Sequence, residues 1–333
     1  MSIRPIAPRR RSAHAIAAIL FLACCFSSAC KTSDDAAAAA TQLTATAQSL
    51  TDYYSALDTV LANTDRLNSV QVVLYGIPYD DAAKAQIADA RAEIQKRAAV
   101  AESLTNLAQN FTKLTGSTAA TDASASAGKL EDEVKTLGAS KTFASSSPEM
   151  AVLNDALGAI VSAIQEKKER DAAKGMSKFA QGLDELFAKE VPVYESLNTQ
   201  YVAISSSLAV TMLTKGQTDP TGFFTVALNP YALTPEVTDP ALKDGFAKIA
   251  VNQVGEKAAA LNKSQQDATE SMEQSLKQMA RRIDLVANDK PMQASTAPVT
   301  LANVEKWASQ FTSSTPATSP AKAATTSTAT KAK

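Results

Sequence analysis

Long stripes of apolar residues at three- and four-residue spacing constrain this chain more than any other feature. One stripe runs through Met176, Phe179, Leu183, Leu186, Val193, Leu197, Tyr201, Ile204 and Leu208, and a second extends from Phe246 to Val286. Because an α-helix has 3.6 residues per turn, this spacing gathers the apolar side chains on one face of a helix. The alternating pattern that indicates β-strands is nearly absent, and 11 Gly and 13 Pro supply few turns. The sequence therefore predicts an all-α fold.

The stripes and their stop signals divide the chain into a small number of helices. We expect a first helix over 34–74, whose rows of residues seven apart (Leu43, Leu50 and Leu57, with Ala47, Tyr54 and Leu61) form a coiled-coil type of seam. Further helices are expected over 80–114, around 130–137, from Pro148 to about Leu208, over 240–288 and over 301–311, with a loop at 115–128 and irregular chain at 216–240. Pro192 predicts a kink or a break near Ala188. The resulting architecture is an elongated antiparallel helical bundle with long coiled-coil-like helices, formed by residues 36–311.

The first 29 residues have the three parts of a secretory signal peptide. Arg4, Arg9, Arg10 and Arg11 form a positive segment without acidic residues, and an apolar run follows over 13–26. Small residues at 27–29 then precede Cys30. The apolar run is shorter than the ~20 residues that a membrane-spanning helix needs. We therefore predict that residues 1–29 are a signal peptide that is removed on export.

Cys30 is the predicted point of attachment to the membrane. The sequence Ser-Ser-Ala-Cys that ends at Cys30 resembles a bacterial lipobox, although Ser27 stands where that motif usually has Leu. The resemblance implies a lipoprotein, with residues 30–35 as the lipidated cysteine and a tether. Two alternatives remain open: cleavage before Cys24, which would leave an apolar remnant, and ordinary signal cleavage with an incidental cysteine. Lipid modification is the favoured explanation, because a lone cysteine in an exported chain has no partner for a disulfide within that chain.

The charge distribution argues against nucleic acid as a partner. The whole chain has a formal net charge of −1, and removal of residues 1–29 takes away four arginines and no acid. The C-terminal residues 312–333 hold three lysines and no acid, so the body between them is distinctly acidic. Phosphate backbones require a basic surface. The C-terminal segment itself is rich in Thr, Ala, Ser and Pro, and we expect a disordered tail.

Composition removes most kinds of catalytic and metal site from the mature chain. The single histidine is His14, inside the predicted signal peptide, and no cysteine follows Cys30. The usual general base and the thiol nucleophile are therefore missing. The acidic clusters at 131–133 and 184–185 lack a calcium-loop spacing and are interpreted as solvated helix faces. We predict a non-catalytic protein without a metal or an organic cofactor.

One weakly charged segment is the main candidate for contact with a membrane or a partner. Residues 196–235 contain only two charged side chains, Lys215 and Asp219, between two apolar arms at 201–213 and 223–233. The first interpretation is a helix end and loop packed in the bundle core. The second is an apolar hairpin that projects from the bundle, an organisation that resembles the apolar tongue of α-helical pore-forming toxins in architecture only. The candidate contact residues are Leu208, Met212, Phe223 and Phe224.

Together these patterns predict a lipid-anchored helical protein of the bacterial cell envelope. Its expected partners are the membrane, through Cys30, and another envelope protein; its expected role is structural or that of an adaptor. The alternative is a membrane-active, pore-forming-like protein that uses residues 201–233. Whether these residues are buried or project distinguishes the two hypotheses.

Overall fold

The computed structural model describes residues 13–111, 119–137, 143, 148–166, 169–224, 229–231, 237–288, 290 and 301–312, with the side chains of 13–37, 111, 119–121, 169, 229 and 312 excepted. Within these ranges the chain is all-α and contains no strand. Its helices are α1 (Ala13–Tyr75), α2 (Asp81–Phe111), α3 (Ala119–Leu137), α4 (Pro148–Gln165), α5 (Glu169–Thr214), α6 (Pro240–Ala287) and α7 (Ala302–Thr312), with a short 3-10 turn at Asn229–Tyr231. The predicted fold class is confirmed. The predicted C-terminal tail lies outside the described residues after Thr312.

Several predicted boundaries differ from those of the structure. α3 begins at Ala119, so a helix covers most of the predicted loop at 115–128. The predicted helix from Pro148 to about Leu208 is divided in the structure into α4, which ends at Gln165, and α5, which begins at Glu169. α5 continues through Pro192, so the predicted break is wrong. The 46 residues of α5 and the 48 of α6 give helices of about 70 Å. The prediction of an elongated shape rests on these lengths.

Pairs of side chains give the directions of the three longest helices. Tyr54 of α1 lies beside Tyr194 of α5, and Tyr75 at the end of α1 reaches Gln217 just beyond α5. α1 and α5 are therefore parallel. α6 is antiparallel to α1, because Tyr53 contacts Thr269, whereas Thr46, two turns earlier on α1, contacts Ser275, which lies further along α6.

The remaining helices complete the bundle around this trio. α2 packs against α1, α3 against α2, α4 against α3, and α5 against α4, so the chain returns to its starting helix through consecutive neighbours. α7 lies on α1 and α6. Its buried face is Val304, Trp307, Ala308 and Phe311. This face is the one that the spacing of the sequence predicts for 301–311.

One pair of helices approaches closely enough to require a glycine. α4 and α5 form an antiparallel hairpin, in which Glu149 is bridged to Lys189. A Cβ atom added to Gly175 of α5 would lie 2.7 Å from Ile160 Cγ1 and 3.3 Å from the carbonyl oxygen of Ala156. No side chain larger than hydrogen fits there without a shift of the Ile160 side chain or of α4.

Polar side chains line the contact between α1 and α6. Gln42 donates to Ser275 Oγ at 3.3 Å, and Thr46 is hydrogen-bonded to the same hydroxyl at 2.8 Å. Two turns further along α1, the hydroxyl groups of Tyr53 and Thr269 lie 2.8 Å apart, with Gln265 donating to the tyrosine. Because each of these buried groups needs its partner, a register shift between α1 and α6 would leave several of them unsatisfied.

Candidate functional site

Cys30 lies at a helical position of α1, 45 residues before Tyr75. Its side chain lies outside the described residues. Forty-five helical residues correspond to about 68 Å. Cys30 therefore lies in the first third of α1, well before its C-terminal end. The predicted tether at 30–35 and the predicted helix start at 34 differ from the structure, because α1 begins at Ala13 and runs through both positions.

The four candidate contact residues of the weakly charged segment pack against the chain's own helices to different extents. Leu208 is buried, and Met212 is half-buried on α5. Phe223 is half-buried against a small apolar cluster of Leu213, Ala250 and Val254.

Phe224 is half-buried and makes an edge-on contact with the ring of Phe246, with 5.1 Å between ring centroids. The described part of the segment is thus a folded connection between α5 and α6. Residues 225–228 and 232–236 of the same segment lie outside the described residues.

The exposed apolar side chains gather at one end of the bundle, which we call the distal end and define as residues 67–79, 213–224 and 240–252. Among the described residues, the large apolar side chains that are exposed there are Val70, Val72, Val73, Leu74, Ile77, Leu242 and Ile249, with Tyr231 in the adjacent connection. Val152 on α4 is the exception, since it lies elsewhere. Exposed apolar patches of this kind mark interaction surfaces.

Polar contacts join the turn after α1 to the connection that follows α5 at the distal end. Tyr75 donates its hydroxyl hydrogen to Gln217 Oε1 at 3.1 Å, and Lys215 Nζ lies 4.6 Å from the centroid of the Tyr75 ring. On the other side of the turn after α1, Tyr79 donates to Asp65 at 2.7 Å. These contacts hold the turn at 76–80 beside the end of α5.

A cleft of about 720 Å³ lies between the end of α5 and the start of α6. Its walls carry charges of both signs, from Lys243, Lys248, Asp219 and Asp244, above an apolar floor that includes Val251. Asp219 is already satisfied, because Thr221 donates to it from its backbone N–H and its hydroxyl, at 2.9 and 2.7 Å. These hydrogen bonds lower the pKa of Asp219. The two lysines and two aspartates of the cleft balance in formal charge, so the cleft favours an ionic ligand of neither sign.

A buried ion pair with attached phenols occupies the centre of the bundle. Arg97 of α2 donates to both carboxylate oxygens of Glu190 on α5, at 2.8 and 2.5 Å, and also to Glu93 at 3.2 Å. Tyr194 donates to Glu190 at 2.5 Å, and Tyr54 lies 3.4 Å from the Tyr194 oxygen. A face of Phe143 covers the guanidinium, whose carbon is 4.0 Å from the ring centroid.

The electrostatics of this centre keep Arg97 charged and both phenols neutral. Burial alone lowers the pKa of Arg97, but the hydrogen bonds and charge of Glu190 outweigh it, and the pKa is raised. Burial, with the nearby Glu190, raises the pKa of Tyr54 and Tyr194. Arg97 therefore stays protonated and the two tyrosine hydroxyl groups stay neutral near pH 7. With its oxygens engaged by donors from the same chain, Glu190 is arranged for structural support rather than for proton transfer.

Sequence reasoning missed this centre, although a signal was present. The apolar stripe of α5 steps seven residues from Leu186 to Val193, and Glu190 fills that step. In α2, Arg97 stands three residues after Ile94 and four before Ala101, in phase with the buried face. A charged residue in phase with a buried face indicates an internal ion pair.

The acidic clusters that were interpreted as solvated faces lie on helix surfaces. Glu131 is bridged to Lys135 one turn further along α3. Asp184 differs from this interpretation, because one of its carboxylate oxygens is buried without a hydrogen-bond partner in the described part of the chain. Burial, followed by the charges of Glu273 and Glu185 and opposed by Lys277, raises the pKa of Asp184 to about 6.

Comparisons with known proteins provide no analogue for this arrangement: no protein-family model, curated protein or solved structure matches the chain. In the described ranges, no helix combines the length and apolarity needed to span a membrane. The same ranges contain no group of three or more His, Cys, Asp or Glu side chains placed to hold a metal ion.

Proposed function

We propose that the protein is a lipid-anchored, non-catalytic adaptor of the bacterial cell envelope, in which the bundle holds its distal end away from the membrane. The observation that carries the proposal is the position of two features on one helix. Cys30 lies toward the start of α1, and the exposed residues Val70, Val73 and Leu74 lie at its end, about 65 Å further along.

The internal structure suits a rigid spacer. The ion pair of Arg97 and Glu190 joins α2 to α5, and the hydrogen bonds of Tyr53 and Thr46 fix α1 on α6. Buried, fully partnered polar groups disfavour sliding of one helix against another. A spacer with a fixed register would present its distal end at a constant height above the anchor.

The membrane-active alternative has weaker support. A hairpin that inserts into a bilayer needs apolar side chains that are free to leave the bundle. Leu208 is buried, and Phe223 and Phe224 contact Val254 or Phe246 of α6. Their release would first cost the burial that these contacts provide.

The anchor is tested by replacing Cys30 with Ser in the full chain and fractionating cells. We expect the wild-type protein in the membrane fraction as a processed form, and Cys30→Ser as a soluble species or an uncleaved precursor. Metabolic labelling with a fatty acid should mark the wild type alone. A Cys30→Ser protein that is still processed and still held in the membrane would contradict the proposal. Cys24→Ser is the control, because it should leave anchoring unchanged if Cys30 is the lipidated residue.

A further inference from the structure

α7 packs into a groove between α1 and α6 through side chains at helical spacing. Its buried face consists of Val304, Trp307, Ala308 and Phe311. The ring of Trp307 lies against that of Tyr53 on α1, with 5.0 Å between the two centroids. Anchors at i, i+3, i+4 and i+7 are those by which an amphipathic helix binds in the apolar groove of another protein. The groove under α7 therefore has the form of a helix-binding site.

α7 is a short element that the rest of the bundle does not need for its connectivity. It has 11 residues, and isolated helices of fewer than about 12–15 residues are marginally stable in water. Residues 288–301 separate α7 from the end of α6. The long helices α1, α5 and α6 contact one another directly, so their packing persists when α7 leaves. α7 is thus helical because it is docked, and it can undock as a unit.

Two features of α7 are poorly matched to the groove. The indole N–H of Trp307 is buried and has no hydrogen-bond partner among the described residues. The carboxylates of Asp52 on α1 and Glu305 on α7 lie close enough to interact: burial, and then the charge of Glu305, raises the pKa of Asp52. A buried donor without an acceptor and a contact between like charges both weaken docking. A helix with a phenyl ring in place of the indole and a cation in place of Glu305 would match the groove better than α7 does.

We infer that α7 is a displaceable cover, and that the groove between α1 and α6 binds an amphipathic helix of a partner protein. That helix would carry an aromatic anchor at the place of Trp307 and a basic residue at the place of Glu305, opposite Asp52. Tyr53 in the groove lies about 33 Å before Tyr75 on the same helix, so the site is distinct from the distal end. The inference does not depend on an anchor at Cys30.

Displacement of α7 is measured through Trp307, the only tryptophan of the chain. The probe is a synthetic peptide of residues 301–312 with Glu305→Lys and Trp307→Phe, which contains no tryptophan. Added to the purified full-length protein, it should shift the emission to the red and expose Trp307 to acrylamide, because α7 leaves the groove. The titration must exceed the effective concentration of the attached α7, which is on the order of 1 mM. The same peptide with Val304→Asp lacks an anchor and should displace nothing.

A charge exchange tests the predicted contact with Asp52. On the wild type, the Lys peptide should displace α7 at an about fivefold lower concentration than the tryptophan-free peptide that keeps Glu305. On full-length Asp52→Lys, this preference should reverse. Comparing both peptides on both proteins cancels the effect of the substitution on the helix of the peptide itself. No displacement by either peptide, or the same preference on both proteins, would overturn the inference.

Weaker docking of α7 in its own groove should strengthen binding of the peptide there. By fluorescence anisotropy, full-length Phe311→Ala should bind the dye-labelled Lys peptide about tenfold more tightly than the wild type does, because its α7 has lost a buried ring. Phe223→Ala, at the distal end, is the matched control and should bind as the wild type does. Equal binding by Phe311→Ala and wild type would place the peptide elsewhere and overturn the inference. Wild-type dimers that the peptide dissociates would also overturn it, because they would assign the groove to α7 of a second copy.

Discussion

Arg97 of α2 and Glu190 of α5 form a two-pronged ion pair across the bundle, with side chains only 3% and 1% exposed. Such a pair stabilises a fold less than its short distances suggest, because both ions lose their hydration. Its main effect is on specificity: an unpaired ion in the same place is far more costly than either the pair or an apolar replacement. The pair therefore fixes which turn of α2 lies against which turn of α5.

Replacing Arg97 with Met should destabilise the protein by about 3–5 kcal/mol, since Glu190 would remain buried without its counterion. The double variant Arg97→Met with Glu190→Leu should recover a large part of this loss. Urea denaturation of the single and double variants measures both the loss of stability and its recovery. Lys263→Met is the control, because its pair with Asp267 is exposed and should contribute below about 1 kcal/mol. Equal losses in the Arg97→Met and Lys263→Met variants would show that the central pair is not buried in solution.

The close approach of α4 and α5 gives a second test, in which replacing two different glycines with alanine should change the stability in opposite directions. Gly175→Ala should destabilise by about 1–3 kcal/mol, because the new methyl group would overlap Ile160. Gly158→Ala, on the exposed side of α4, meets nothing within 4 Å and should stabilise by up to about 1 kcal/mol through helix propensity. Thermal melting of the two variants decides it. Stabilisation by both substitutions would exclude the observed contact between the helices.

The sequence predicts helix existence well and helix neighbours poorly, for a physical reason. The cap of α6 was identifiable because Asp239 and Pro240 are local signals, and Asp239 indeed accepts a hydrogen bond from the N–H of Ala241. The face of α7 was identifiable because Val304, Trp307 and Phe311 share one side. Periodicity, however, states only that a face is buried and not which helix buries it. The pairing of Arg97 with Glu190 depends on residues 93 positions apart, and no local pattern encodes it.

Local sequence patterns are equally poor predictors of where helices end and of which apolar residues at the distal end are exposed. Residues 119–128 contain no large apolar side chain, yet α3 extends through them because Ala123 and Ala127 pack into the core. The exposure of Val73 near the end of α1 is visible only once the neighbouring helices are placed. Burial of small residues and exposure of large ones both depend on tertiary neighbours.

Asp184 predicts a pH dependence of stability. Its pKa of about 6 in the folded chain lies above the ordinary value of 3.8, so the folded state holds its proton more tightly than the unfolded state does. The contribution of Asp184 to stability is therefore complete below about pH 4 and is lost as the pH rises through 6. Asp184→Asn should have wild-type stability near pH 3.5 and exceed it at pH 8 by about 1 kcal/mol, a value reduced for the partial exposure of the group.

The measurement is urea denaturation of Asp184→Asn and wild type at both pH values, with Asp155→Asn as the control. Asp155 is an exposed acid on neighbouring α4, so its replacement should change stability by less than about 0.5 kcal/mol at either pH. A stability gain for Asp184→Asn that is equally large at pH 3.5 would assign the effect to something other than ionisation of Asp184.

The only tryptophan of the chain, Trp307, reports on the docking of α7. It is fully buried, with its ring centroid 5.0 Å from that of Tyr53. Trp307→Ala should cost about 3–5 kcal/mol. Trp307→Phe should cost much less, because the indole N–H has no hydrogen-bond partner within the described residues and only volume is lost. In the wild type, fluorescence should be blue-shifted and protected from acrylamide until the bundle unfolds; early quenching at low urea would mean that α7 detaches on its own.

Leu208 and Phe223 distinguish a packed connection between α5 and α6 from a membrane-active hairpin. Leu208 is 6% exposed, so Leu208→Ala should cost about 2–4 kcal/mol and lower the melting temperature by several degrees. Phe223→Ala should cost less, because its ring is half-buried on Val254 and Leu213. Val73→Ala is the matched control at the same end of the bundle and should leave melting nearly unchanged.

A liposome-leakage assay on the lipid-free chain completes this test. If the segment serves to connect α5 and α6, the wild type causes no leakage, and the variants differ only in stability. Leakage by the wild type that is lost in Leu208→Ala and Phe223→Ala, together with unchanged melting, would mean that these side chains leave the bundle to act on membranes. That result would replace the adaptor by the membrane-active protein, because the energy of burying the two apolar side chains would then be gained in the bilayer and not in the fold.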